Sequence, residues 1–356
     1  MSTTSSRLSW VGDILLVRAF QPLLTNEGTR RLHSSLVWAG VLGAIEGVGL
    51  FAVIPTFTAF VAGQPSLGLA WWGWVWVLAA LAAAGAVVSY LQSSTGYLCA
   101  IDILSHLSTR IGDHVASLPL GWFRPSFPAR LSRLLTRGLM TLGECLGHFT
   151  APLVKGMTTT LVMMVLGWMW SWQLGLALLL AIPTMYLLTI ASRALKLRGE
   201  ALTYPTEQEL AARIVEFCES QPALRAAGRA TGYQPLHDAQ VASRRAARKD
   251  LWLGVLASFV FGLTAQGIAV TLIVLAANLG GSGRLNPVVA VAFVGVSLRY
   301  TKVLENVGAA TLAVETAREP VAEVDEILSA TVLPEPDIPV GPVSYTHLRA
   351  HETVLD

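Results

Sequence analysis

WWGWVWVLAALAAAGAVVSYLQSSTGYLCAIDILSHLSTRIGDHVASL (71–118) reads as one helix passing through two solvents. The stretch 70–101 is apolar and long enough to cross a bilayer, because about 20 apolar residues at 1.5 Å rise span the hydrocarbon core. Beyond it the pattern turns amphipathic. Ile103, Leu104, Leu107, Ile111, Val115 and Leu118 recur at helical spacing, while Asp102, His106, Arg110 and His114 share another face. A span that continues as helix well past the membrane is unusual, and it sets the terms on which the remaining segments are read.

Five further stretches, roughly 34–62, 147–170, 173–193, 252–279 and 287–310, are also apolar and long enough to cross. With 53% hydrophobic and 13% charged residues, and a mean hydropathy of +0.55, the chain is too apolar for an ordinary soluble domain. The expected fold class is an all-α membrane protein of six transmembrane helices. Charge sets its orientation. Arg18, Arg30 and Arg31 precede the first span, Arg110 to Arg137 follow the second, and 194–251 carries Lys196, Arg198 and the cluster Arg244, Arg245, Arg248 and Lys249. The alternate connections GQPSLGL (63–69), SW (171–172) and GGSGRLN (280–286) contain only Arg284. Positive residues stay inside, so both termini and the two long connections are expected in the cytoplasm. Seven of the eleven Trp flank the first two short connections, as an external interfacial belt would.

The net charge of +2 thus conceals a one-sided distribution and calls for membrane lipid, not nucleic acid, as the neighbour. Cys99, Cys145 and Cys218 form no CxxC pair and predict neither a disulfide framework nor a metal site. Asp102, His106, Arg110 and His114 are read as a solvated face, since one carboxylate and two spaced imidazoles make a poor ligand set. The N-terminus lacks the short apolar core and small-residue cleavage site of a signal peptide.

Each long connection is expected to be a helical hairpin reaching on the order of 25–35 Å from the membrane. In the first, LPLGWFRPSFPA (118–129) makes an elbow and LSRLLTRGLMTLGECL (131–146) climbs back as helix. In the second, ALKLRGEALTYPTEQELAARIVEFCES descends, QPALRAAGR (221–229) turns, and YQPLHDAQVASRRAARKDLW ascends. Both tips mix apolar and basic residues, a composition suited to docking on a cytoplasmic protein.

Six spans with two extended cytoplasmic hairpins resemble the transmembrane half of an ATP-binding-cassette transporter of the exporter fold, over about residues 15–342. The resemblance implies that the tips are coupling helices resting on nucleotide-binding domains. The first would lie near Gly121–Ala129 with Trp122, Phe123 and Arg124; the second would lie near Glu216–Arg229 with Glu216, Gln221, Leu224 and Arg225. IVEFCESQPALRAAGR (214–229) is similar to the family's coupling segment, with Ser220 where Gly is usual. The wording EFxxxQPxLRAxGR is most similar to a bacterial branch that handles siderophores as paired half-transporters; branches exporting thiols, lipids, peptides or drugs share most of it. ETAREPVAEVDEILSATVLPEPDIP (315–339) resembles the helix and linker that lead into a nucleotide-binding domain.

No GxxxxGKS/T occurs, so the chain lacks the phosphate-cradling loop and its lysine and is not expected to hydrolyse ATP by itself. The resemblance puts ATP and Mg in an absent nucleotide-binding domain, and no cofactor or metal in this chain. The expected division is a cytoplasmic segment 1–33, a six-helix domain 34–318, a linker 319–342, and a tail 343–356 (VSYTHLRAHETVLD) that resembles translated vector sequence. A second half-transporter is implied, with two different halves favoured, in a bacterial inner membrane. Two readings of other classes are a permease with a separate motor, whose Glu-Ala-Ala…Gly loop motif is missing, and a motorless membrane scaffold.

Polar residues inside the spans are the candidates for a substrate path. Glu46, Lys155, Thr159, Glu305 and Asn306 stand out, since a charge at mid-span costs about 2.5–3.5 kcal/mol and is kept where it has a partner or a use. The competing reading for each is structural: an ion pair between helices, a lysine reaching the interface, a threonine bonded to its own helix. The small residues of the second span, Ala79 to Ala86, are expected to permit close helix contact.

Overall fold

The computed structural model describes residues 16–123, 127–228 and 231–333. Apart from one isolated bridge between Ser66 and Leu69, regular structure among the described residues is helical. Six helices are long and apolar enough to cross a membrane: α1 Asn26–Ala62, α2 Trp71–Ala116, α3 Arg130–Trp170, α4 Trp172–Ala226, α5 Gln234–Gly281 and α6 Pro287–Glu315. A short amphipathic helix, α7 Arg318–Leu328, follows. The membrane-crossing apolar helices and their order agree with the exporter-type transmembrane fold. At 1.5 Å per residue α2 is about 70 Å long and α4 about 80 Å, more than twice a 30 Å hydrocarbon core. The excess has no hydrocarbon to occupy and extends as helical hairpin.

Local chemistry marks where the helices begin and end. The Thr25 hydroxyl caps α1 by accepting from the Gly28 amide at 2.9 Å. The Asn286 side-chain oxygen accepts from the Val288 amide at 2.9 Å, with Pro287 in the first turn of α6. At the far end of α1 the chain enters the left-handed region at Gly63, φ 64°, and the Trp74 indole donates to the Ser66 carbonyl at 3.0 Å across the short connection. The α3–α4 connection is tighter still, Ser171 alone separating two helices.

α1 packs against α2, α3 and α6, and α4 pairs along its length with α5. α6 is the most enclosed span, with 56% of its apolar window buried, whereas only 6% of that of α2 is. The small residues of the second span therefore do not mediate packing within this chain: Ala79, Ala80, Ala82, Ala83, Ala84 and Ala86 are exposed. Close approach occurs instead between α1 and α3. A Cβ on Gly43 would stand 2.3 Å from the Lys155 carbonyl oxygen, and one on Gly47 2.8 Å from Val162.

Two cores hold the bundle. One gathers Phe51, Ile54, Met163, Leu178, Leu272, Phe293 and Tyr300 between the spans. The fully buried Tyr300 hydroxyl donates to the Leu178 carbonyl at 2.8 Å, satisfying the polar end of the ring. The other lies at the base of the first hairpin, where Ile103, Leu107 and Ile111 meet Leu134, Phe20, Leu24, Val321, Val324 and Ile327.

Two further expectations are corrected. The Asp102–Arg110–His114 face is not merely solvated. Asp102 accepts from the Thr25 hydroxyl at 2.8 Å, Arg110 donates to the Pro22 carbonyl at 2.7 Å, and His114 contacts the Ala330 carbonyl at 3.1 Å. These residues fasten both flanking segments to α2. The second hairpin turns later than the expected 221–229: α4 runs through Pro205 and Pro222 to Ala226, and α5 begins at Gln234. Each proline forfeits one backbone bond, and on an arm exposed to water the freed carbonyl is resolvated, so the helix persists. The ascent into the third span is helical as expected, with π-helical turns at Leu134–Gly138 and Cys145–Phe149.

Candidate functional site

The polar residues of the spans converge more than their sequence positions suggest. The Glu46 carboxylate on α1 bonds Lys155 of α3 at 2.8 Å through one oxygen and Arg299 of α6 at 2.7 Å through the other. Counted from the helix ends at the three short connections (Ala62, Trp170 and Pro287), the three lie about 18–24 Å deep at 1.5 Å per residue, so they share one level. The close α1–α3 contact at Gly43 brings Glu46 within reach of Lys155. The side chains grade outward: Glu46 is 17% exposed, Lys155 35% and Arg299 52%. The carboxylate sits behind and the cations in front.

Of the residues named from sequence, Glu46 and Lys155 are thus brought together as one unit. Thr159 is not part of an open path. It is fully buried, its hydroxyl donating to the Gly43 carbonyl at 3.0 Å and the Lys155 carbonyl at 2.9 Å, so it packs α1 on α3. Glu305 is paired with Lys302 one turn back on α6 at 2.8 Å, and Asn306 beside it is exposed. Arg299 stands outside the residues named from sequence. Its signal was available, because an arginine amid the apolar residues of the sixth span carries the same desolvation cost that singles out Glu46.

On another side of α3, a cavity of about 410 Å³ opens between α3, α4 and α6, lined by Met157, Thr160, Met185, Tyr186, Leu304 and Val307. The Thr160 hydroxyl is buried there with no hydrogen-bond partner among the described residues. The cavity is almost wholly apolar and suits an acyl or alkyl chain by composition.

The cytoplasmic arms end in two different tips. At the first, Trp122, Phe123 and Phe127 form a triangle of edge-on rings, centroids 4.6–6.0 Å apart, and Leu120 is exposed. Arg124 lies outside the described residues. At the second, Glu216 is engaged within the arm: Arg213 donates to it at 2.6 Å and the Tyr233 hydroxyl at 2.9 Å. The Arg213 bond first and the Tyr233 bond second hold its carboxyl below the ordinary carboxylate range. Gln221 accepts from Arg225 at 3.0 Å, Leu224 is half-buried, and Arg225 is exposed at the end of the arm. The C-terminal segment runs beside the first tip. α7 lays Val321, Val324 and Ile327 into the basal core, Arg130 bonds Glu323 at 2.6 Å and Glu326 at 2.5 Å, and the Leu333 amide donates to the Ser117 carbonyl at 3.0 Å. Leu333 therefore lies next to the elbow that holds Trp122 and Phe123.

Residues 36–198 match the family model of the ABC transporter transmembrane region. The chain is similar to the mycobactin import ATP-binding/permease protein IrtB of Mycobacterium tuberculosis H37Rv, 25% identical over 319 residues that make up 89% of this chain and 55% of that protein. It is similar also to the proteins of the same name from Mycolicibacterium smegmatis, 26% identical over 86% of this chain and 53% of that protein, and Mycolicibacterium thermoresistibile, 24% identical over 82% and 50%. The chain spans about half the length of these curated relatives.

Proposed function

We propose that this chain, whose residues 36–198 match the family model of the ABC transporter transmembrane region, is the membrane-spanning half of an ATP-driven transporter for iron–siderophore complexes. The observation that carries this reading is the pairing of six crossing helices with two helical arms and a C-terminal segment clamped beside the first tip. A motor domain following residue 333 would start where it can engage that tip. The names of the relatives favour a siderophore as substrate.

In this scheme the spans form the pathway and do no covalent chemistry. A nucleotide-binding domain holding ATP and Mg would draw together with that of a second half, two different halves being favoured. The tips, with Trp122, Phe123, Arg124, Gln221, Leu224 and Arg225, would pass that motion along the arms, and the spans would alternate between inward-open and outward-open packings. The arms and both termini would lie on the cytoplasmic side of a bacterial inner membrane, a placement that the basic residues of both arms favour.

Deleting the gene and following uptake of 55Fe supplied as a ferric siderophore under iron limitation tests the substrate. Loss of most uptake, restored by the gene, is expected; unchanged uptake would overturn the siderophore assignment. Reading the locus downstream of codon 342 tests the motor, with an in-frame GxxxxGKS/T expected.

A further inference from the structure

Glu46 commits both carboxylate oxygens to cations, one to Lys155 and one to Arg299. With the carboxylate ionised, the three side chains carry one positive charge in excess. That excess lies within the apolar spans, where an uncompensated charge costs about 2.5–3.5 kcal/mol. The next charges along α6 do not neutralise it, because Lys302 and Glu305 already pair with each other at 2.8 Å. Glu144 on α3 is roughly three helical turns from Lys155. The two cations are also the accessible members of the group, and Arg299 is the most exposed of all. A guanidinium has five N–H donors in a planar fork, and among the described residues that of Arg299 bonds only Glu46. A purely structural ion pair would have no need of a second cation, and would be expected to enclose its charges rather than present them.

We infer that Lys155 and Arg299 form a binding site for an oxyanion, a carboxylate or phosphate carried by an amphiphilic molecule, with Glu46 as the counter-ion that keeps the site at a single positive charge. The fork of Arg299 suits two oxygens of one group, and Lys155 adds a point charge from the facing helix. The surrounding spans offer apolar surface to the rest of the molecule. The inference rests on the transport reading and sharpens it: the pathway prefers substrates that bring a negative charge. An anionic phospholipid headgroup offers the same chemistry, and the experiment separates the two sources.

The full chain in nanodiscs of phosphatidylcholine is titrated with the ferric complex of a carboxylate-bearing siderophore, with its methyl ester, and with phosphatidylglycerol, following tryptophan fluorescence. R299Q and K155M are compared with the parent, and R299K serves as the variant that keeps the charge. The expected result is about tenfold weaker binding of the carboxylate complex by R299Q, the scale of one charged hydrogen bond, with the ester unaffected and R299K close to the parent. E46Q, which raises the site to two positive charges, is expected to bind the carboxylate complex at least as tightly as the parent. Loss of phosphatidylglycerol binding in R299Q, with both siderophore probes indifferent, supports the oxyanion site and assigns it to lipid. Equal binding of the carboxylate and ester probes by the parent, R299Q and K155M, with phosphatidylglycerol binding also unaltered, overturns it. Should R299Q fail to fold, K155M and R299K decide the same question. Iron uptake that needs the gene but ignores R299Q, with phosphatidylglycerol binding also unaltered by R299Q, defeats this inference alone, whereas uptake that never needed the gene defeats the siderophore reading and leaves the binding result standing.

Discussion

At Gly43 the bundle has no spare space. The nearest atom to a Cβ there is the Lys155 carbonyl oxygen, which belongs to a helix backbone and cannot swing aside. Gly43→Ala is expected to force α1 and α3 apart and to destabilise the bundle by about 1–3 kcal/mol. A clearly lower thermal unfolding midpoint in detergent would report it. Gly49→Ala, where a Cβ meets nothing within 4 Å, is expected to leave the midpoint unchanged or to raise it slightly. The same contact carries Glu46 to Lys155, so Gly43→Ala should also loosen their pair. Single residues were partly legible in the sequence. Glu46 and Lys155 announce themselves as charges in apolar runs, yet which charges meet depends on the facing of three helices, and periodicity within one helix does not contain that information. Thr159 illustrates the limit: a hydroxyl in a span looks the same from sequence whether it faces a pathway or, as here, the Gly43 carbonyl.

At the scale of elements, α7 is a detachable piece held by one apolar face and one acidic face. Val324 is fully buried in the basal core. Val324→Ala is expected to weaken docking of α7 by about 1–3 kcal/mol, seen as faster amide exchange over 318–333 with the spans unaffected. Equal exchange in parent and variant would mean that the Arg130, Glu323 and Glu326 contacts hold the helix unaided. The second arm predicts a pH effect. The Glu216 carboxyl is depressed from its ordinary value of 4.5, by Arg213 first and Tyr233 second. Its contribution to closing the tip is therefore complete above pH 4.5 and is lost as pH falls through the depressed value. The protection of amides over 216–228, relative to their intrinsic exchange at each pH, is expected to fall on acidification below pH 4.5, and Glu216→Gln should abolish that dependence. The arms themselves could be read from the amphipathic run after Cys99 and from the basic composition. Their details could not, because proline signals a break only where its lost bond goes uncompensated, and α4 passes Pro222 without ending. The two π-helical turns of α3 leave no trace in a pattern whose period barely changes.

For the molecule as a whole, six spans, their order and the two arms follow from lengths, hydropathy and the placement of arginines, quantities that act over tens of residues and survive local error. The sidedness of the arms is the point on which the transport account depends, since tips that couple to an ATP-hydrolysing domain must face the cytoplasm. The chain supplies its own reporter: Cys218 is exposed on the second arm, while Cys99 and Cys145 are buried. The direct measurement is labelling of Cys218 in intact cells with a membrane-impermeant maleimide, beside a Ser282→Cys variant that reports on the α5–α6 connection. The account predicts that Cys218 is protected until the cells are permeabilised while the cysteine at 282 reacts at once. Labelling of Cys218 from outside, with position 282 protected, would contradict it.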